Sequence, residues 1–435
     1  SKDPIEIVIE NGYMKANGTT LGADDGIGVA CMLAVLESDE LSHPAIESLF
    51  TSDEEDAMTG ALAVERSMLK GSTLINIDTE KEGEFFNGSA GGINANISFT
   101  PEYDDVPDNL DFYKIEISGL KGGHSGVEIN NGRANANKLL ARTLNYLTNK
   151  NINKNCITLY ISEFEGGNTK NLITPKAYAV VGIQNQDYSV MVDGIKTCFD
   201  IFTNEYQDAE KRDIDDKEEF EIITTKSTNE YTKVFSADTQ RKLIELVVLI
   251  PNDVLSMYYG KGNLVETSCN LGVLKLDETT GKIKLVSFIR SFIESKKQYV
   301  VSQMRILAEC FGADFSTDAD FPNWQPASKS EIKDRFEKSY HDIFNEDAKT
   351  NSIHAGLECG YFASSMPDID IIAFGPTITG AHTPEETLEI ESVGKITTLL
   401  IDVLEKMNQD IIPSNYKCFN NLTNVVEKHV CKCIR

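Results

Sequence analysis

The first 90 residues repeat one pattern, and that pattern constrains the fold more than any other feature of the chain. "IEIVI" alternates with polar neighbours as a half-buried strand does. After Asp24-Asp25-Gly26, "IGVACMLAVLESDEL" places apolar residues at helical spacing. "AIESLFTS" reads as another strand and runs into the acidic loop "DEED". "GALAVERSML" reads as a helix, and "STLINID" as a short buried strand ending at Asp78. Strand, acidic loop and helix in succession predict an α/β layer with a mixed, mainly parallel sheet flanked by helices. Ligands gather at the carboxyl ends of strands in such sheets. Asp24, Asp53, Glu54, Glu55 and Asp78 all fall at strand ends or in the loops just after them.

After "GSAGG" the texture changes. "FYKIEISGLKGGHSG", "CITLYISEFEGG", "AYAVVGI" and "GKIKLVSFIRS" supply strands, and "RANANKLLARTLNYLTN", "SVMVDGIKTCFDIFTNEYQD" and "TQRKLIELVVLI" supply helices. These predict an inserted α+β domain over 92–317. "EYQDAEKRDIDDKEEFE" reads as a solvated helix end or loop. "STDADFPNWQPAS" reads as a linker. Helix and strand then resume, so 318–435 is expected to rejoin 1–91 as one discontinuous domain. A chain of 435 residues needs more than one core in any case.

The formal net charge of −27 disfavours a nucleic-acid partner, since phosphate backbones are repelled. No apolar run approaches the ~18 residues of a membrane span. Nine cysteines, odd in number and scattered, suit reduced thiols of the cytoplasm better than a disulfide framework. "CKC" near the end offers two thiolates, a poor metal site alone, on what is expected to be a mobile tail. The chain does not begin with Met and is read as a processed or partial product.

Taken singly, the acidic residues mean little. An Asp before a helix is most often an N-cap, and "SDEED" is most often a solvated loop. Taken together, Asp24, Glu55, Asp78 and His382 are hard-oxygen and imidazole groups expected at one sheet edge. Converging carboxylates repel unless a cation neutralises them. A dinuclear zinc-type site satisfies them, with one carboxylate bridging the ions. Glu54, beside it and free, is placed to move a proton from an activated water to a leaving amine.

Six segments carry a family resemblance, in this order: "TTLGADDGIGVA", "TSDEEDAMTGA", "LINIDTEKEGEFFNGSAGG", "ISGLKGGHSGVEI", "IHAGLECGYF" and "FGPTITGAHTPEE". Over about 1–407 the chain resembles the aminoacylhistidine (Xaa-His) dipeptidases, or cytosol non-specific dipeptidases, of the M20 family of zinc peptidases and amidohydrolases. The resemblance implies Asp24 as bridging ligand, Glu55 and His382 as further ligands of one metal, and Asp78 as ligand of the other. It implies Glu54 as general base and Asp25 as a neighbour rather than a ligand. His124, in the lid formed by the inserted domain, would steady the tetrahedral oxyanion, often in the partner subunit's site. Asn171 and Arg290 would contact substrate from the lid, and His354 and Glu358 would lie near the pocket, Glu358 as a substrate-binding residue, with structural support the alternative for both. Lys176 stands where the pattern often has Arg, which implies a weaker, monodentate carboxylate contact. The expected cofactors are two divalent ions, zinc with manganese or cobalt as alternatives. The expected partners are dipeptides and a second copy of the chain, joined through the lid.

One departure matters. The family carries a His-x-Asp pair upstream of the Asp24 motif, and no His-x-Asp occurs in this sequence. The ion on Asp24, Glu55 and His382 keeps three protein ligands, while the ion on Asp24 and Asp78 lacks an imidazole. The second ion is expected to bind weakly, and the chain as given to be an impaired peptidase, N-terminally incomplete. Two other readings stay open: an M20 amidohydrolase of N-acyl amino acids, and a non-catalytic homologue with one metal.

Overall fold

The computed structural model describes residues 4–55, 58–211, 219–259 and 262–411. It divides into two compact units, Ser1–Ser89 with Asn323–Arg435, and Ala90–Pro322.

The first unit has two four-stranded sheets. One runs Lys349–Ile353, Glu84–Ser89, Asp370–Ala373, Thr73–Asn76, with both outer pairs parallel and the central pair antiparallel. Phe85, Phe336 and Phe374 pack edge-to-face beneath it, with centroids 5.6 Å apart for Phe85–Phe336 and 4.8 Å for Phe336–Phe374. The other sheet is antiparallel and runs Ile7–Glu10, Tyr13–Ala16, Thr387–Glu389, Ile378–Thr379. Helices Ala23–Glu37, Glu331–Phe344 and Ile390–Ile411 share its core. The last helix buries Val393, Ile396, Leu399, Leu400, Val403 and Leu404, the i, i+3, i+4, i+7 stripe of an amphipathic helix. Strand Thr73–Asn76 leads through buried Ile77 to Asp78, which sets that carboxylate at the sheet's carboxyl edge.

The second unit is built on an antiparallel nine-stranded sheet. Its path is Glu221–Lys226, Leu110–Ser118, Ala177–Gln184, Tyr160–Asn168, Val265–Asp277, Lys282–Ser291, Gly91–Phe99, Asp314–Phe321, and Asp253–Met257 pairs with Val265–Asp277 off that path. Helix Ala136–Thr148 buries Leu139, Leu140, Leu144 and Leu147 in the core, each contributing about 1.5–3 kcal/mol by burial. The Asn135 side chain caps its start by accepting from Asn137 N at 3.0 Å. Lys138 on the same helix closes the end of helix Ala237–Leu249, donating to the carbonyls of Val247 (2.6 Å), Val248 (2.9 Å) and Ile250 (2.7 Å).

The structure corrects three local expectations. "AIESLFTS" forms no strand: no neighbouring strand pairs with it among the described residues, and Glu47 within it instead accepts from Lys70 N and Gly71 N. "GALAVERSML" is not one helix but a turn of helix, Thr59–Leu62, and a 3-10 turn, Arg66–Met68. The first six residues of the expected linker belong to strand Asp314–Phe321, paired to Gly91–Phe99. Its exposed aspartates misled the reading, yet charge is what a sheet-edge strand uses to resist pairing with other chains. Trp324, beyond Pro322, is buried and exchanges both backbone hydrogen bonds with Ser89. Part of the charge run (212–218), the "CKC" tail and all beyond 411 lie outside the described residues. The six described cysteines are free thiols. No described helix is long and apolar enough to cross a membrane.

Candidate metal centre and substrate-binding residues

In the first unit, Asp24 opens helix Ala23–Glu37 in extended backbone, and regular helix follows Asp25. Glu54 and Glu55 follow Asp53, which has φ of 65°. A turn fixes them: Met58 N donates to Asp53 O at 2.7 Å, and the Thr59 hydroxyl to the Asp53 carboxylate at 2.6 Å. His382 adopts φ of 65°, in a loop closed by Thr383 N and Oγ1 donating to Gly380 O. A non-glycine residue held there is strained, and such residues cluster at functional sites. Gly375 lets the chain leading to that loop pass the Asp78 segment, since a Cβ on it would lie 1.9 Å from Thr79 O.

These segments bring three donors together. His382 Nε2 lies 3.0 Å from Asp24 Oδ2 and 2.8 Å from Glu55 Oε2, and one ligand atom from each falls within 4.8 Å of the others. Three donors about 2.0–2.2 Å from one ion need to be this close. Burial works against a charged His382, but Glu55 and Asp24 prevail and hold it above its ordinary range. Asp78 joins no such three-donor group among the described residues, but it hydrogen-bonds Asp24.

The carboxylates around this group are strongly perturbed. Burial raises Asp78 to about 9, helped by Asp25, Glu54 and Asp24. Burial likewise raises Asp25 to about 8, opposed by the Gly28 N–H. Burial, then Glu55, Glu358 and Asp24, raise Glu54 to about 7. Acids in this state lack a cation, and the donor set of carboxylates and imidazole fits divalent metal ions.

Sequence reading missed two residues. Glu386 is 1% exposed and accepts from the Thr20 hydroxyl (2.5 Å) and from the backbone N–H of Leu21 (2.8 Å), Gly22 (2.9 Å), Ala23 (2.8 Å) and Asp24 (3.3 Å). Burial alone would raise it, yet these donors hold it below its ordinary range. It fastens the Asp24 loop to the His382 segment. Its only signal was its place in "HTPEE". Glu80 also faces the group: burial first, then Asp24, raises it. Glu358 is buried, and the Thr51 side chain supports it. His354 is buried too.

In the second unit, His124 is positioned by its own loop. Gly126 N and Val127 N donate to its Nδ1, each at 3.2 Å. Nδ1 therefore accepts, and the proton of the neutral ring sits on Nε2. Glu128 accepts from His124 N at 2.7 Å and pairs with Arg133, which donates to Gly122 O at 2.6 Å. Gly123 makes room for that arginine: it has φ of 125°, and a Cβ would sit 2.1 Å from Arg133 Nη1. Burial, then Arg290, lowers His124 to about 4. Arg290 is 4% exposed, lies over the Phe288 ring at 4.4 Å, and has its Nη2 3.5 Å from His124 Nε2. Burial lowers it to about 9, and its Nε has no hydrogen-bond partner among the described residues. Asn171 is exposed, and its carbonyl accepts from Ser125 N at 2.8 Å. Lys176 pairs with Glu116 at 2.8 Å.

A mixed α/β unit presenting carboxylates and an imidazole at a sheet edge, with a large inserted sheet unit, defines a metallohydrolase class. The chain belongs to peptidase family M20/M25/M40, whose family model matches residues 1–406. It is 37% identical over 407 residues to the cytosol non-specific dipeptidase of Escherichia coli (strain K12), covering 94% of this chain and 81% of that protein. Its fold matches the crystal structure of aminoacylhistidine dipeptidase from Vibrio alginolyticus with a TM-score of 0.81 and 34% identity, covering 95% of this chain and 80% of that one.

Proposed function

We propose that this chain is a metal-dependent dipeptidase of broad, Xaa-His-accepting specificity. The observation that carries the reading is the convergence of Asp24, Glu55 and His382, with Asp24 and His382 358 positions apart in the sequence. The names of both relatives support dipeptides as the substrate class.

Asp24, Glu55 and His382 would hold one divalent ion, and Asp24 with Asp78 a second, less tightly. Bound ions, zinc in this reading, supply Lewis acidity and make a neighbouring water more acidic. Glu54, pushed up to about 7, takes the proton of the attacking water and returns it to the leaving amine. His124, a neutral Nε2–H donor, suits a developing oxyanion. Arg290, a buried guanidinium, suits the substrate's terminal carboxylate. Asn171 is assigned a polar contact to the peptide. The lid reading also carries a homodimer, supported by Leu255, Met257 and Tyr259, which are exposed on and just after edge strand Asp253–Met257. The cytoplasm is the compartment that suits free thiols.

Hydrolysis of Xaa-His dipeptides by the zinc-loaded chain, compared with N-acyl amino acids, tests the reading. Dipeptide cleavage lost in Glu54→Gln is the expected result. Cleavage confined to N-acyl amino acids would assign the amidohydrolase activity instead. No cleavage with zinc, manganese or cobalt would favour the non-catalytic homologue. Zinc counted per chain tests the unequal pair of sites: two tightly held ions would refute it.

A further inference from the structure

We propose that the carboxylate of Glu358 receives the free α-ammonium group of the substrate, so that the chain selects peptides with an unblocked amino terminus. The inference rests on the dipeptidase reading and deepens it.

Glu358 is 7% exposed, and its Oε1 has no hydrogen-bond partner among the described residues. The Thr51 side chain is the group that steadies the carboxylate, and among the described residues no lysine, arginine or histidine acts on it. A buried carboxylate without a cation is costly unless a ligand completes it. The backbone holds the residue firmly. Glu358 directly precedes helix Cys359–Ser365, its carbonyl accepts from Tyr361 N at 2.9 Å, and Cys359 and Phe362 beside it are buried.

Its charge reaches Glu54 and Asp25. Glu358 therefore lies on the side of the centre where Glu54 works. Beyond the three-donor set of Asp24, Glu55 and His382, Asp78 bonds Asp24, Glu386 is filled by Thr20 and backbone N–H groups, and Glu80 acts on His382, which leaves Asp25, Glu54 and Glu358. One of them, Asp25, already accepts from Gly28 N at 2.9 Å. Glu54 is engaged in proton transfer. Glu358 is left with an open acceptor oxygen and no task in the chemistry. An ammonium group brings a positive charge and three donors, which is what an acceptor-only carboxylate lacks. N-acyl amino acids have no such group, so the same residue separates dipeptides from acylated substrates.

The test uses the zinc-loaded chain and two hydrolysis-resistant phosphinic isosteres of alanyl-histidine, one with the α-amino group and one without it. Calorimetric titration gives both affinities, so the result does not depend on turnover. The wild-type chain is expected to prefer the amino analogue by about thirtyfold or more, as for a buried charge pair. Glu358→Gln is expected to remove that preference while leaving the zinc count and the affinity for the des-amino analogue unchanged. Glu358→Asp, which keeps the charge, is expected to restore part of it. Equal wild-type affinity for the two analogues overturns the inference and leaves the dipeptidase reading standing, whatever the variants do. So does a preference unchanged in Glu358→Gln, or an equal loss for both analogues, which would mark a packing role. Failure of the wild-type chain to bind either analogue overturns the dipeptidase reading, and this inference with it.

Discussion

The two units perturb buried ionisable groups in opposite senses. In the first, burial lifts Asp78 to about 9, Asp25 to about 8 and Glu54 to about 7. In the second, burial drops Arg290 to about 9 and His124 to about 4. Surface pairs such as Arg142–Glu205, bidentate at 2.7 and 2.8 Å, are self-satisfied. The contrast separates charge that holds the fold from the charge to which the proposed function assigns ligands. The acidic unit suits cations, whether metal ions or an ammonium group. In the second unit, buried Arg290 and His124 are the groups to which the proposed function assigns a carboxylate and an oxyanion.

Glu386 sharpens the contrast because it is an acid of the first unit whose needs are met. Glu386→Ala would strand four backbone N–H groups and a hydroxyl. The expected cost is about 4 kcal/mol in urea denaturation, together with at least about tenfold weaker zinc binding. A loss below about 1 kcal/mol would mean that the loop holds Asp24 without it.

The next largest effect concerns pH. Asp78, Asp25 and Glu54 have folded values above the unfolded range of about 4, so the metal-free native state binds more protons than the unfolded chain between those values. The stability from these groups is complete below about pH 4 and is lost as pH rises through about 7 to 9. Metal-free protein should lose on the order of 3 kcal/mol between pH 5 and 9. Saturating zinc should flatten the slope and raise stability by about 4 kcal/mol at a thousandfold excess over Kd. Parallel urea titrations in chelator and in zinc would show this. A metal-free chain that gained stability over that interval would break the comparison.

The site was legible where chemistry lies in a motif and illegible where it lies in a long-range contact. Asp24, Glu55 and His382 could be named because each sits in a short recognisable stretch, and the structure brings them together. Glu386 sits four residues past His382 in the same stretch, but four of its partners are backbone N–H groups 362 to 365 positions away, and backbone groups carry no sequence signature. The alternation of strand and helix announced an α/β unit with an inserted α+β unit. It could not say which apolar runs find a strand to pair with. "AIESLFTS" finds none among the described residues, while the aspartate-rich segment at 314–321 pairs with Gly91–Phe99. Strand formation is decided by neighbours more than by propensity.

In the second unit, replacing Arg290 tests the reverse charge. Arg290→Met keeps the volume and removes a guanidinium with no acidic partner among the described residues. Chemical denaturation should show a gain of about 1 kcal/mol, and binding of ligands bearing a terminal carboxylate should weaken. A large loss of stability would show that its packing over Phe288 matters more than its charge.

The smallest effect, and the most diagnostic, belongs to His124. Its folded value of about 4 lies below the unfolded value of about 6.5, so the native state binds fewer protons between the two. The associated stability is present above about pH 6.5 and is lost as pH falls toward 4, amounting to about 1 kcal/mol once partial exposure is allowed for. Nitrogen-15 NMR reads the ring directly. The Nε2–H tautomer should persist from pH 8 to about 5, because Gly126 N and Val127 N occupy Nδ1 and Arg290 repels a second proton. A ring that protonated near 6.5 would act as an acid at neutral pH. His124 would then be no neutral donor, and the opposition between the buried groups of the two units would lose one of its two terms.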